Sequence, residues 1–425
     1  MMERIKLKNA KAVKVMLLPN NWQKTRLFQY AGASRFAYNW ALQKEMESLS
    51  SGKGFISDSE LRKEFTKLKK LSEYAWLNDV AVDITKQAIK DLVSAYVNYF
   101  RKRKDSNYKP YSKRQLEHAE RIGITLTEYD KQCHPKFKSK KGFNDYGFYL
   151  NADQTYFTEN HVYIPAMYKY GNRKRQSLKG SVKLAERNRI SIEQKFYNAR
   201  VSFDGRNWWI SVITESTARI SDIKIENGIG VDLGIKDTAI FSDGSKFENI
   251  NKSKRVRLLE KRKRRLQHKV SRQYRLNKKG ESYQKTKNIR KSELRLLKLN
   301  RRLTNIRHNH IHQITSSIVN REPSFIVIED LNVSGMMKNK HLSKAVQQQC
   351  FYEIRRQLMY KTDSAGIKLI VADRWYPSSK LCNCCGKIKK DLKLSDRIYR
   401  CECGYIEDRD VNAAKNLMDY VHIYT

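Results

Sequence analysis

Four cysteines near the end of the chain have the residue type and spacing of metal ligands. They form the pairs Cys382-x-x-Cys385 and Cys401-x-Cys403, and glycine follows each pair at once. Five of the chain's seven cysteines lie in this stretch, and in a reducing compartment such clustering favours a metal over disulfides. Thiolates at this spacing suit a tetrahedral zinc site. We therefore predict a structural metal clip here.

Asp232 is a charged residue inside an otherwise apolar strand pattern. It lies between Gly230 and Gly234, in a segment followed by a second predicted strand and a turn. A buried carboxylate is costly unless it meets a cation or several hydrogen-bond donors. An Asp that caps a turn is the ordinary alternative. The glycines favour a functional site, because they let a backbone or a phosphate approach closely.

Two more pairs of acids lie further along the chain. Glu329 and Asp330 end an almost wholly apolar run, which is the pattern of a parallel strand buried on both faces. The carboxyl ends of such strands are where open sheets place their sites. Asp408 and Asp410 follow the cysteines at the start of a predicted helix, where they cannot easily ligate the zinc. We therefore expect acids from distant parts of the chain to meet in one site.

The charge balance predicts a polyanionic partner. Lys and Arg number 86 against 44 Asp and Glu, a formal net charge of +42. Nucleic acid is the leading candidate, because its phosphate backbone offers continuous charge. A membrane-surface protein would concentrate its charge on one amphipathic helix, whereas here basic residues occur from end to end. No apolar run approaches the roughly 20 residues of a membrane helix, so we expect no membrane partner and a cytoplasmic location.

Two predicted helices carry much of the positive charge. In residues 252–275, twelve of 24 residues are Lys or Arg, and a second basic helix with an apolar stripe follows at 288–319. We predict an antiparallel pair that can lie along a nucleic-acid duplex, although a solvated face is the ordinary alternative. A Lys-rich loop at 136–141 is a further candidate. The proposed nucleic-acid contacts are Lys136, Lys138, Lys261, Arg262, Arg264 and Arg265.

The first half of the chain alternates between strand and helix patterns. Residues 4–18 predict a strand, and the apolar spacing becomes helical at 22–48 and 83–102. Residues 103–130 have little periodicity and are predicted to be a connector. Several short strands follow, with a hairpin signal at Asp204-Gly205. This order predicts a small barrel that a helical insertion interrupts.

Four motifs together resemble the transposon-encoded TnpB proteins, which are relatives of the type V CRISPR nucleases. The motifs are Gly230–Gly234, Ile328–Asn332, Pro377–Gly386 and Asp408–Ala414. The resemblance is close over residues 228–420. It is weaker before them, where Arg35–Trp40 and Pro135–Ser139 are similar to the N-terminal half of the family.

This resemblance implies an α/β plus β-barrel fold. An RNase H-like (RuvC) nuclease domain with a zinc ribbon insertion would follow a wedge β-barrel, which a helical recognition segment interrupts. The implied order is the first wedge strand at 1–22, the recognition segment at 23–130, the remaining wedge barrel at 131–222, the first nuclease part at 223–376, the zinc ribbon at 377–406 and the final nuclease part at 407–425.

The resemblance also implies the site residues. Asp232, Glu329 and Asp410 would be the catalytic acids, with Asp408 the rival of Asp410. Three carboxylates in one site repel each other unless divalent cations neutralise them, and oxygen ligands select Mg²⁺ or Mn²⁺. The zinc ligands would be Cys382, Cys385, Cys401 and Cys403. Because many relatives have two residues between the second pair, Cys384 is an alternative ligand.

The function implied is that of an RNA-guided DNA endonuclease acting in a prokaryotic cytoplasm and on its nucleoid. One protein would hold one guide RNA derived from the transposon end, and the guide would pair with double-stranded target DNA. A compact type V CRISPR effector is the nearest alternative. A nuclease-inactive guided repressor would have little reason to keep three costly acids. A cut-and-paste transposase would usually order its acids Asp, Asp, Glu.

Overall fold

A computed structural model describes residues 10–140, 146–165, 167, 180–190, 192, 195–215, 227–280, 282–393 and 396–424. The chain divides into two units, Met1–Glu215 and Ser216–Thr425. The sequence places the boundary between barrel and nuclease at residues 222 and 223, which lie outside the described residues. Among the described helices, none combines the length and the apolar character that crossing a bilayer requires.

The first unit is built on a seven-stranded antiparallel sheet with the order β2-β6-β7-β1-β5-β4-β3. Its strands are β1 (Ala10–Leu18), β2 (Gly147–Leu150), β3 (Tyr156–Phe157), β4 (His161–Tyr163), β5 (Ser181–Leu184), β6 (Phe196–Phe203) and β7 (Trp208–Glu215). The edge strand β3 reaches back to β6, where the rings of Phe157 and Phe196 lie 5.0 Å apart. The sheet therefore curls. No ladder joins β2 to β3 in the described ranges, so barrel closure stays a prediction.

The predicted helical insertion follows β1. It contains α1 (Asn21–Ser50), α2 (Asp58–Leu68), a 3₁₀ helix (Ser72–Asp79), α3 (Val82–Arg103) and α4 (Lys113–Ile122). The prediction of a connector at 103–130 was wrong, because α4 lies within it. Ser112 and Gln115 form a capping box at its start, which supplies local helix stability that apolar periodicity does not reveal.

Glu45 is a carboxyl group buried in α1. One oxygen accepts a hydrogen bond from the Ile56 N–H at 3.2 Å, and the other has no hydrogen-bond partner within the described part of the chain. Burial raises the pKa of Glu45 from 4.5 to about 7. Folding therefore favours the protonated form. This contribution to stability is complete below the unfolded-state pKa and is lost as the pH rises to about 7.

We expect Glu45→Gln to stabilise the first unit by about 2 kcal/mol near pH 8 and to change little near pH 5, because Gln stays neutral at both values. Thermal unfolding of the purified protein at the two pH values checks this. Glu47→Gln is the matched control, because Glu47 lies two residues further along α1 and is exposed. A Glu45→Gln protein that is less stable near pH 8 would contradict the sign.

The second unit contains a five-stranded mixed sheet with the order β10-β9-β8-β13-β14. Its strands and small hairpins are β8 (Gly228–Asp232), β9 (Asp237–Phe241), β10 (Lys246–Glu248), β11 (Lys278–Lys279), β12 (Ser282–Tyr283), β13 (Phe325–Glu329), β14 (Lys368–Ala372), β15 (Ile398–Arg400) and β16 (Ile406–Asp408). β8, β13 and β14 are parallel, and β9 and β10 are antiparallel to their neighbours.

The helices of this unit are α5 (Lys254–Leu276), α6 (Lys287–Val319), α7 (Val333–Met336), α8 (Ser343–Gln349), α9 (Phe351–Ala365), α10 (Arg409–Asp419) and α11 (Val421–Tyr424). Some of them cover the two faces of the sheet. Residues of α6 and α9, including Ile314 and Leu358, form one core with Val231 and Ile328. On the opposite face, α10 contributes Leu417 to a second core around β13 and β14.

The predicted antiparallel helix pair is confirmed as α5 and α6. Arg307 pairs with Glu260 at 2.7 Å near one end, and the Tyr274 hydroxyl donates to Glu293 at 2.6 Å near the other. The apolar seam contains Val256, Leu259, Leu299 and Leu303. The short hairpin of β11 and β12 joins the two helices.

Candidate functional site

Two predicted acids end neighbouring parallel strands. Val231 of β8 lies opposite Ile328 of β13, so Asp232 and Glu329 follow at the next position of each strand. Val231 and Ile328 point to the core formed by α6 and α9. Because side chains alternate along a strand, Asp232 and Glu329 point to the other face, which α10 covers.

Helix α10 brings the third acid to this face. It packs so closely on β8 that a Cβ atom added to Gly230 would lie 1.9 Å from the Ala414 carbonyl oxygen. Asp410 lies one helical turn before Ala414, and Asp232 lies two residues after Gly230 on the same strand face. Gly230 therefore allows the backbone of α10 to approach closely. The sequence predicted that a backbone or a phosphate would approach these glycines.

The electrostatics reflect the convergence of the three acids. Burial, followed by the charges of Glu329 and Asp410, raises the pKa of Asp232 well above its usual value. The pKa of Glu329 is also raised, chiefly by burial, and its side chain shares a hydrogen bond with Asp232. Asp232 and Glu329 keep part of their surface exposed. An accessible cluster of oxygen atoms that resists carrying its full negative charge suits a divalent cation.

Two arginines beside the cluster hold Asp410. The Arg409 guanidinium lies 3.1 Å from the Asp410 carboxylate, and that of Arg397 lies 3.8 Å away. Arg397 also accepts a backbone hydrogen bond from the Arg409 N–H at 2.9 Å. Neither arginine was among the predicted site residues, because sequence spacing does not show which cations face an acid.

The two neighbouring acids have other partners. Asp330 pairs with Arg374 at 2.6 Å and Arg355 at 2.8 Å, and the hydrogen bond from Arg374 is the largest cause of its lowered pKa. Asp408 is the N-cap of α10 and accepts hydrogen bonds from the backbone N–H groups of Asp410 and Val411. Of each sequence pair, only one member therefore faces the cluster.

The four predicted metal ligands form one compact group. All of their Sγ atoms lie within 4.8 Å of one another, with 3.7 Å between Cys382 and Cys403 and 3.6 Å between Cys385 and Cys401. A tetrahedral site with Zn–S bonds of about 2.3 Å separates its sulfurs by about 3.8 Å. Cys384 lies outside the group and is exposed.

Backbone geometry prepares these sulfurs to bind a cation. Each of the four accepts a backbone N–H hydrogen bond, and the N–H of Cys403 is the largest cause that lowers the pKa of Cys401 to about 7. Such bonds favour the thiolate, the form that ligates a metal, whereas burial and the neighbouring sulfurs raise the pKa of the other three thiols. Gly386 and Gly404, at φ of 71° and 90°, provide the left-handed turns after the two pairs.

Buried amides attach the cysteine-containing segment to α10. Asn416 donates to the carbonyl oxygens of Ser378 and Leu381, both at 2.7 Å, and Asn412 donates to Leu381 at 2.8 Å. The Ser378 hydroxyl in turn donates to Glu329 at 3.0 Å. The sequence motifs included Ser378 and Asn412 without assigning them a role. The position of these two polar residues within the family motifs was the one feature of the sequence that could have indicated a role for them.

The predicted nucleic-acid contacts differ in their surroundings. Lys261, Arg262, Arg264 and Arg265 are exposed on α5, and Lys136 is exposed on its loop. Lys138 is half-buried, with its ammonium group 4.0 Å from the centre of the Tyr38 ring. Lys136 is therefore the better placed of the two loop lysines to meet a phosphate.

Three family models match the chain. "Probable transposase" matches residues 211–340, "Cas12f1-like, TNB domain" matches 351–417 and "Helix-turn-helix domain" matches 9–54. In this structure the residues matched by the last consist mainly of β1 and one 30-residue helix, α1. The "Probable transposase" and "Cas12f1-like, TNB domain" models together cover the five-stranded sheet, the acidic cluster and the four cysteines.

Curated relatives match over nearly their whole length. InsQ of Escherichia coli (strain K12), named as an RNA-guided DNA endonuclease, is 28% identical and covers 98% of this chain and 93% of its own. A protein of the same description from Streptomyces pristinaespiralis is 28% identical over 98% and 90%. The CRISPR-associated endodeoxyribonuclease Cas12f1 of Sulfoacidibacillus thermotolerans is 23% identical over 92% of both chains.

The chain, with its mixed α/β fold, is therefore similar to transposon-associated proteins whose names describe nucleases. Within that group the chain is similar to the TnpB proteins, so the resemblance predicted from its motifs is confirmed.

Proposed function

We propose that the chain is an RNA-guided DNA endonuclease of a transposable element. It would hydrolyse phosphodiester bonds of DNA that matches a guide RNA copied from the transposon end, within the cytoplasm of a prokaryotic cell. The observation that carries the proposal is the convergence of Asp232, Glu329 and Asp410 from two strand ends and one helix onto a single sheet face. The relatives named as RNA-guided endonucleases support the guided character.

The nuclease fold proposed is RNase H-like. Three antiparallel strands followed by two parallel ones, in the order β10-β9-β8-β13-β14, support it. A zinc ribbon inserted between β14 and α10 is supported by the sulfur geometry. The proposed wedge barrel is supported by the curled seven-stranded sheet, into which helices are inserted after β1.

The proposed mechanism gives each acid a ligand role. Asp232, Glu329 and Asp410 would hold Mg²⁺ or Mn²⁺, which when bound would activate a water and stabilise the leaving oxygen of the phosphodiester. Ser378 fixes one Glu329 oxygen with its hydroxyl, so the carboxylate keeps a defined orientation. Arg409 holds Asp410 at the first turn of α10 and offsets part of the negative charge of the cluster.

The test begins with the bound nucleic acid. The protein is purified from cells that carry its native flanking DNA, and the RNA that copurifies is sequenced. We expect a discrete RNA with a constant part and a terminal segment that matches adjacent DNA. A plasmid containing that match is then cut in magnesium. Heterogeneous RNA, or intact plasmid, would contradict guided cleavage.

The rival acids of α10 can be separated by substitution. We expect Asp410→Ala to reduce cleavage by at least about 10³-fold, because a metal ligand is lost. Asp408→Ala should reduce stability by about 1 kcal/mol, and Asp408→Ser should restore it, because Ser also caps helices. Cleavage rates and thermal unfolding of the three variants check this. If Asp408→Ser lost as much cleavage as Asp410→Ala, the assignment would be reversed.

The exposed cations of α5 are expected to bind phosphates. Replacing Lys261, Arg262, Arg264 and Arg265 with Gln should weaken guide RNA binding by about 10- to 100-fold near physiological salt. The slope of log affinity against log salt should fall by up to about 3, because fewer counterions are released. Filter binding over a salt series measures both. Unchanged affinity and slope would make α5 only a solvated face.

A further inference from the structure

A cavity in the first unit combines aromatic walls with amide and guanidinium groups. Its volume is about 590 Å³, and it opens between α1, the 3₁₀ helix Ser72–Asp79 and the loop containing Phe137. Its aromatic lining residues are Phe36, Trp40, Tyr74, Trp76 and Phe137, and its polar ones include Arg26, Gln29, Arg35, Asn39 and Gln43. The role of this cavity does not follow from the acidic cluster, which belongs to the second unit.

Its walls offer flat surfaces that the fold leaves accessible. Trp76 and Phe137 are each 44% exposed, and both line this cavity, so two accessible aromatic side chains lie at one site. The Trp76 ring meets that of Phe36 edge to face at 5.5 Å, a contact that orients the ring while much of the residue stays exposed. Fixed aromatic faces at a protein surface are the stacking platforms on which unpaired bases bind.

The polar groups at the cavity are partly arranged in advance. Arg26 donates to Gln29 at 2.9 Å and to the Asp79 carbonyl oxygen at 2.8 Å. Asn39 exchanges two hydrogen bonds with the backbone of Lys138, at 2.8 and 2.9 Å, which fixes the loop that supplies Phe137. The cavity therefore has a defined shape before any ligand arrives, and this lowers the entropic cost of binding.

Arg35 indicates the chemistry of the ligand. Its Nη1 atom is buried and has no hydrogen-bond acceptor in the ranges that the structure describes. The atom is closed to solvent, so an acceptor in the cavity reaches it only after the Arg35 side chain rotates, and a buried unpaired donor on a cation favours that change. Base edges and phosphate oxygens are the acceptors that arginine binds best in nucleic acids. Lys136, exposed beside Phe137 on the same loop, can meet an adjoining phosphate.

We propose that this cavity captures a single unpaired nucleotide, whose base stacks on Trp76 and whose polar edge or phosphate meets Arg35. The proposal deepens the proposed function and rests on it, since it assigns part of the guided complex to a defined pocket. The nucleotide comes from the guide RNA or from a strand of the target DNA. An apolar residue of another protein would leave the Arg35 donor without an acceptor.

A photocrosslinking experiment identifies the occupant. Phe137 is replaced by benzoylphenylalanine in the full chain, and Tyr156, exposed on β3, receives the same replacement as a control. The protein with its copurified RNA is irradiated with and without target DNA, and crosslinked nucleotides are mapped by primer extension. We expect the residue at position 137 to crosslink to one discrete nucleotide. If the nucleotide belongs to the RNA, the crosslink forms in both samples, and if it belongs to the DNA, the crosslink forms only in the sample with target DNA. Diffuse crosslinks, or the same nucleotides as from position 156, would overturn the proposal.

A binding series tests the stacking wall. We expect Trp76→Ala to weaken binding of the strand identified by crosslinking by roughly 5- to 150-fold, the range for losing one base stack. Trp76→Tyr should stay within about 3-fold of wild type, because it keeps a ring. Equal affinity of Trp76→Ala and wild type would also overturn the proposal. Crosslinking needs only nucleic-acid binding, so it remains informative even if wild type fails to cut guide-matched DNA, the result that would sink the proposed function.

Discussion

Replacing Asp232 with Asn is expected to abolish guided cleavage and, at the same time, to stabilise the protein. The lost oxygen ligand should reduce the rate by at least about 10³-fold. The gain in stability follows from the raised pKa of Asp232: its charged form is disfavoured in the fold by burial and by Glu329 and Asp410. An uncharged amide avoids this cost above the ordinary pKa of Asp. We expect the free energy of unfolding without added magnesium to be higher for Asp232→Asn than for wild type.

Two measurements check this prediction together. Cleavage of guide-matched plasmid gives the rate, and thermal unfolding with and without magnesium gives the stability. Magnesium should raise the unfolding temperature of wild type and leave that of Asp232→Asn nearly unchanged, because ligand binding stabilises only a protein that binds it. A variant that cuts at the wild-type rate, or that gains as much from magnesium, would remove Asp232 from the metal site.

Asp330→Asn is the matched control. The substitution is chemically the same and lies next to Glu329, but Asp330 pairs with Arg355 and Arg374 instead of facing the acidic cluster. We expect cleavage within about 3-fold of wild type. Stability should fall slightly at neutral pH, because the pairing that lowers the pKa of Asp330 is lost.

The contrast between Asp232 and Asp330 shows what the sequence could predict. The apolar runs before Asp232 and Glu329 predicted strands, and the strands formed as β8 and β13. The choice of Glu329 over Asp330 came from a resemblance, since strand propensity does not tell which sheet face will carry a helix. The register of β8 with β13 and the packing of α10 decide that face, and both depend on residues far apart in sequence.

Nonlocal packing also explains what was missed. The cavity around Arg35 and Trp76 is formed by α1, a 3₁₀ helix and a loop about 100 residues later, so no periodic pattern in one segment reveals it.

Asp408 and Asp410 have different roles because Asp408 caps α10, whereas Asp410 lies in the first turn of that helix. The cap pattern was readable, but an Asp two residues before another acid fits either role until the helix start is known.

The cysteine-containing segment and the acidic cluster are physically joined. Strand β16 ends at Asp408, where α10 begins, so the position of Asp410 depends on the hairpin that carries Cys401 and Cys403. Asn416 connects α10 to the Ser378 backbone, and the Ser378 hydroxyl reaches Glu329. Two of the three acids are therefore positioned through contacts with this segment. A metal held by the cysteines would support the acidic cluster at a distance.

We accordingly expect Cys385→Ser to remove bound zinc and to reduce cleavage by at least about 10²-fold, although no cysteine is in the acidic cluster. A structural zinc contributes about 10 kcal/mol or more to the folding of its segment. Loss of a residue that orients a metal ligand by a hydrogen bond lowers metal affinity or activity by about 10- to 100-fold. Cys384→Ser is the matched control. Its side chain is adjacent but lies outside the sulfur group, so we expect full zinc content and wild-type cleavage.

The Asn416→Ala protein separates support from folding. Its cysteines are intact, so it should keep its zinc, while the loss of hydrogen bonds to Ser378 and Leu381 should loosen Glu329. We expect the magnesium concentration for half-maximal cleavage to rise by about 10-fold, with guide RNA binding unchanged. Zinc content, RNA affinity and a magnesium titration test this on one preparation. A rate that falls without a change in the magnesium requirement would make Asn416 a folding residue only. For the cysteine variants, loss of zinc from Cys384→Ser would show that Cys384 is itself a zinc ligand.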